Sequence, residues 1–197
     1  VAKNAGRAKE AGDSLANRLR RAGVKPRLWT PDPRLLLLPQ VPRPLHGLAP
    51  RVVLGAKWWD ATRQAAYRST AYHCLACGVY KGDAVWRKWL EAHEVYAVDY
   101  LAGRATYERA VPLCHLCHAY IHCGRSEALV ERGEMNHLKY AAIMQHGDAV
   151  LGAAGLRRLP PYDGPFAPWD DWRLVVGSKE YEPLRTEQEW IKEFGRA

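Results

Sequence analysis

The stretch Leu113 to Arg125, LCHLCHAYIHCGR, holds three of the chain's five cysteines and three of its eight histidines. So many metal-donor side chains in one place imply donors elsewhere, and CLAC at 74–77 supplies them. With CHLC at 114–117 it makes C-x2-C, 36 intervening residues and a second C-x2-C. Two residues between cysteines let both thiolates of a pair face one ion from a tight turn, and two pairs close a tetrahedral site. Gly78, directly after the first pair, permits such a turn. The spacing predicts a structural Zn2+ on Cys74, Cys77, Cys114 and Cys117. An ion bound by four thiolates has no open position, so it stabilises and does not catalyse. Cys123 is left over, as a small buried residue.

The letters CHLCH also spell a haem attachment motif. Haem attachment usually occurs outside the cytoplasm, no export signal is visible, and the upstream cysteine pair would go unexplained. Zinc is therefore the preferred reading.

Zinc does not account for His118 and His122. They stand four apart, on one face of a helix beginning near Cys117, and two imidazoles at that spacing can ligate one cation. Between the cysteine pairs, WLEAHEVYAVD at 89–99 reads as an extended, partly alternating segment that presents His93 and Glu94 near the knuckles.

Across all 197 residues, 29 Lys and Arg against 21 Asp and Glu give a formal charge of +8, which suits a polyanionic partner, nucleic acid first. Residues 1–34 carry nine basic against three acidic side chains, or +6 of that charge. Nothing at the start resembles a signal peptide, and the longest all-aliphatic run is the four leucines at 35–38, so an intracellular protein without membrane association is expected. Clustered cysteines in a reducing compartment favour metal over disulfides.

Residues 6–22 have the composition of a short basic helix, and 26–50, with seven of the thirteen prolines, read as an extended arm that wraps or links to a neighbouring surface. A helix is expected from about Leu54 into the first cysteine pair, with Trp58 and Trp59 in the core and not stacking on bases. Residues 126–155 predict one or two helices, stopped near Gly147 and again near Gly155. WDDWRLVVGSKEYEPL predicts two strands joined at Gly177-Ser178, and TEQEWIKEF a helix capped by Thr186 with Glu189 completing a capping box.

In order, CLACG, LEAHEV and VPLCHLCHAYIH resemble the HNH, or ββα-metal, endonuclease family, and most of all its four-cysteine members common in phages and bacteria. The resemblance covers about 51–155 and is strongest from Tyr72 to Arg125. It implies an α+β fold: a ββα-metal core with a four-cysteine zinc site over 51–155 and flanking helices. A basic, proline-rich arm over 1–50 precedes it, and a small β-hairpin plus helix over 156–197 follows. It implies His93 as a metal ligand, Glu94 where the family's general-base histidine stands, His118 as the ligand after the last zinc cysteine, and His122 as a further ligand or phosphate contact. Shifting the comparison by one makes His93 the base and leaves Ala92 at the ligand position.

The implied cofactor besides zinc is one catalytic divalent cation, Mg2+, Mn2+ or another transition metal. The implied activity is DNA phosphodiester hydrolysis, by nicking or cleavage, in the cytoplasm of a bacterial or phage-infected cell, with Arg104, Arg109 and Arg125 contacting phosphates. The family's middle asparagine has no counterpart, because no Asn lies between Cys77 and Cys114, and Arg109 stands five residues before Cys114. A second reading therefore stays open: a catalytically weak or inactive zinc-stabilised nucleic-acid-binding module. It could equally be a subunit of a larger assembly, with RNA or protein reached through the arm.

Overall fold

The alternating segment at 91–99 and the segment that follows it form a hairpin in the computed structural model of the chain, which describes residues 29–195. The basic helix expected over 6–22 lies outside the described residues. Strand β1 (Glu91–Asp99) pairs antiparallel with β2 (Arg104–Leu113), with Glu91 opposite Leu113, His93 opposite Val111 and Asp99 opposite Arg104. The turn closes because Asp99 Oδ1 accepts the backbone N–H groups of Leu101 and Ala102, and Gly103 supplies the left-handed conformation that follows.

The pairing steps from Val95–Arg109 to Tyr96–Tyr107, so Glu108 is an extra residue on β2. The hairpin thereby feeds two cores, one on each face. Val95, Val111 and Leu113 join the first core with Cys74, Cys114, Cys117, Leu35, Leu36, Leu116, Tyr120, Ile143 and Leu151. Tyr96, Val98 and Ala105 join the second with Leu45, Leu48, Trp172 and Leu174.

Two further strands complete a four-stranded sheet of order β1-β2-β3-β4. Strand β3 (Arg173–Val176) runs parallel to the start of β2, and β4 (Lys179–Tyr181) returns antiparallel through Gly177, whose positive φ makes the tight turn possible. The C-terminal strand pair expected from sequence is thus part of the same sheet as the central hairpin.

Among the described residues, six α-helices surround the sheet. The first is a single turn, α1 (Pro50–Val53), and α2 (Gly55–Ser69) follows and packs on β2. Beyond the hairpin come α3 (His115–Ile121), α4 (Cys123–Glu131) and α5 (His137–Ala153). The last, α6 (Glu187–Phe194), carries the expected capping box between Thr186 and Glu189. No described helix is long and apolar enough to cross a membrane.

Two expectations change. Gly147 does not stop a helix; α5 runs through it and ends before Gly155. The ring of Tyr120 lies so close that a Cβ at Gly147 would come within 2.1 Å of it, so glycine is there to let α3 and α5 approach. Trp58 and Trp59 are half-buried on α2, with Trp58 edge-on to Tyr107 and the guanidinium of Arg51 over Trp59.

The described part of the arm, from Trp29, wraps this same chain. Its 3-10 turn Pro33–Leu37 sets Leu35 and Leu36 into the first core, and the Asp32 N–H donates to Leu75 O at 2.6 Å. Proline suits such a segment, which needs fixed φ values more than backbone N–H donors.

Candidate metal centres

The two cysteine knuckles meet because the N–H of Leu75 donates to Pro112 O at 2.8 Å, fixing the first pair beside the end of β2. In the first knuckle Gly78 has a φ of +80, and its N–H donates back to Cys74 O at 2.9 Å. In the second, Cys114 is the N-cap of α3 and Cys117 lies on its first turn. The four sulfurs lie within 4.8 Å of one another. Cys74, Cys114 and Cys117 are buried and Cys77 partly so, and none forms a disulfide.

Such crowding forces protons to be shared. The Cys114 contact pushes the Cys77 thiol far below its usual range and the Cys117 thiol far above it. A soft divalent cation relieves that conflict by holding all four as thiolates, so the donor set fits a structural metal ion such as zinc. His146 Nε2, from α5, lies 3.3 Å from Cys117 Sγ, placed to donate a hydrogen bond to a ligating sulfur. Cys123 is buried apart from the cluster, with Gln40 Nε2 and Arg158 Nη2 donating to its sulfur.

A second cluster forms where β1 faces α3. His93, His118 and His122 offer ligand nitrogens within 4.8 Å of one another, and ring centroids lie 4.8 to 5.3 Å apart. His118 sits inside α3. His122 ends that helix with a φ of −92° and a ψ of 35°, so the chain bends at a candidate ligand before α4 begins. His93 is 6% exposed, and its Nδ1 is buried with no hydrogen-bond partner. An orphaned buried imidazole nitrogen among two other imidazoles is a donor set that suits a borderline divalent cation.

Burial, then the neighbouring His122 and His118, push the His93 imidazolium down to about 2. Burial, then His118, Arg125 and Arg51, hold His122 at about 4. Both imidazoles are therefore neutral, the form that ligates metal, across the physiological range.

Sequence reasoning missed the residue that orients this cluster. Glu91, on the same face of β1 as His93, places Oε2 at 2.6 Å from His118 Nδ1. Its Oε1 accepts from His115 Nδ1 and Arg87 Nη1, each at 2.9 Å. Burial works to raise the Glu91 carboxyl, but the hydrogen bonds from His118 and His115 outweigh it and hold it at about 2. An ionised carboxylate only accepts, so His118 presents Nδ1–H to it and keeps Nε2 for a ligand. The i, i+2 spacing of Glu91 and His93 on a strand was the available signal.

The remaining sequence-derived site residues are placed differently. Glu94 is 8% exposed on the opposite face of β1 from His93, and its carboxylate accepts from Arg51, whose side chain is half-exposed. Arg125 is exposed on α4, near enough to help lower His122. Arg109 is exposed on β2 opposite Val95. Arg104 pairs with Glu180 on β4, and its partner on β1, Asp99, lies six residues along the strand from His93, so Arg104 is about 20 Å from the cluster. Comparison with protein-family models, curated proteins and solved structures returns no match to this chain.

Proposed function

We propose that the chain is a metal-dependent endonuclease of the HNH type, a ββα-metal core that hydrolyses DNA phosphodiester bonds in the cytoplasm of a bacterial or phage-infected cell. The observation that carries this reading is the orphaned Nδ1 of His93, buried against His118 and His122 and separate from the four-cysteine cluster. A hairpin supplies the first of these imidazoles and the helix after it the other two.

When bound, a divalent cation such as Mn2+ or another transition metal would neutralise the scissile phosphate and stabilise the leaving 3′ oxygen. His93, His118 and His122 would hold it, and Glu91 would fix His118. Arg51 and Arg125 flank the cluster and would contact phosphate oxygens. Glu94 points to the other face of β1 but lines one cleft with His93 and His122, and it is the base in this proposal: a phosphate that draws Arg51 away would release the carboxylate to take a proton from water.

The test is supercoiled plasmid with added Mg2+, Mn2+ or Ni2+, using wild type, His118→Ala and Glu94→Gln. Nicking that needs metal and is lost in His118→Ala is the expected result. Absence of nicking with every metal, alongside salt-sensitive DNA binding, overturns it. The Arg51–Glu94 ion pair favours a second reading, a catalytically inactive zinc-stabilised module that binds DNA or RNA or serves a larger assembly. In that case Glu94 is a structural anchor for α1.

A further inference from the structure

Between the first knuckle and β1 the chain reads AVWRKWL, residues 84–90, and contains no acidic side chain. Its ends are pinned, with Ala84 1% and Leu90 5% exposed, while Trp86 and Trp89 stand 48% and 54% exposed. The Arg87 N–H donates to Val85 O at 2.8 Å across Trp86, whose φ is +67. That is a γ-turn of the rare, strained kind, centred on the bulkiest side chain in a conformation that favours glycine. Strain of this sort persists where a site requires the side chain it displays.

Cations surround both indoles. Lys139 Nζ lies 5.5 Å from the Trp86 ring centroid, the Arg87 guanidinium lies 5.4 Å from that of Trp89, and Lys88 is exposed between them. The loop is wired to the histidine cluster. Trp86 meets His115 edge-on at 6.1 Å, and Arg87 and His115 both donate to the Glu91 carboxylate that holds His118.

We propose that Trp86 and Trp89 form a stacking platform for the unpaired bases of single-stranded DNA, so that the strand presented to the histidine cluster is single-stranded or locally opened. Exposed indoles interleaved with lysine and arginine match a chain that alternates flat bases with phosphates, and every base has a face that can stack. A protein partner would be expected to bury such indoles without needing the cations. This inference rests on the reading that the partner is nucleic acid, but it does not require catalysis.

The experiment measures fluorescence anisotropy of a labelled oligothymidylate and of a duplex of the same length, binding to the full chain without added catalytic metal. The proteins are wild type, Trp86→Phe/Trp89→Phe and Trp86→Gly/Trp89→Ala. Wild type is expected to prefer the single strand. The Gly/Ala variant should lose about ten- to a hundredfold in single-strand affinity while duplex binding stays within about twofold, and the Phe variant should keep most of it. Glycine at 86 relieves the positive φ, so melting temperature and zinc content should be unchanged or better; a merely structural Trp86 would lower both.

Unchanged single-strand affinity in the Gly/Ala variant, equal wild-type affinity for the two probes, or no binding of either at low salt, which would leave a protein partner, each overturns the platform. If nicking is absent with every metal while the tryptophan-dependent preference stands, the nuclease reading falls and this one survives. If nicking persists and the preference does not, the reverse holds.

Discussion

Glu91 Oε2 lies 2.6 Å from His118 Nδ1, and this contact couples the strand to the helix at the histidine cluster. Carboxylates behind metal-binding imidazoles fix the ring and its tautomer. Glu91→Gln is therefore expected to weaken Mn2+ or Ni2+ binding at the histidines by about 10- to 100-fold while leaving one zinc per chain. Calorimetric titration of the zinc-loaded protein measures the first effect and elemental analysis the second. Unchanged titration would detach Glu91 from the cluster.

The four-cysteine cluster should behave as part of the fold. Cys117→Ser removes a ligand that is fully buried and also loses the His146 contact. The expected cost is several kcal/mol, with the melting temperature lowered by about 10 °C or more and zinc lost. Cys123→Ser, outside the cluster, should keep its zinc.

Two glycines on α5 should respond in opposite directions to alanine. At Gly147 the added methyl would meet the Tyr120 ring, and a loss of about 1–3 kcal/mol follows from overpacking. At Gly152 nothing lies within 4 Å, and alanine should stabilise the helix by up to about 1 kcal/mol. Chemical denaturation of the two variants side by side reads both signs.

Acid should destabilise the metal-free histidine cluster in a defined window. Burial holds His93 near 2 and His122 near 4, whereas an unfolded chain binds protons at these residues near 6.5. Their contribution is fully present above about pH 6.5 and is lost as pH falls towards 4 for His122 and towards 2 for His93. The slope approaches about 1.4 kcal/mol per pH unit for each. Urea midpoints across this range should fall less steeply in His93→Asn/His122→Asn; an identical slope would place the proton uptake elsewhere.

Local patterns were the legible ones. The paired C-x2-C spacing anticipated a cluster of four sulfurs, the i, i+4 histidines anticipated neighbours on one face, and Thr186 with Glu189 announced the last helix. These depend on residues a few positions apart. Arg51 beside Glu94, His146 beside Cys117 and Gly147 beneath Tyr120 depend on tertiary packing across tens of residues, which no local periodicity encodes. Gly147 misled because glycine breaks helices by default, and only the approach of α3 explains its place inside one. The strand alternation that turns Glu94 to the opposite face of β1 from His93 was readable in the sequence, whereas its partner there, Arg51, was not.

The arm inserts Leu35 and Leu36 into one core and Leu45 and Leu48 into the other, and the second core also needs Trp172 and Leu174 from beyond the helices. The smallest portable version of this protein is therefore not the segment that bears the metal donors. Anyone grafting the two candidate metal sites onto another scaffold would have to carry a stretch from before Asp32 to at least Tyr181. A shorter excerpt would bring the ligands without the walls that hold them in place.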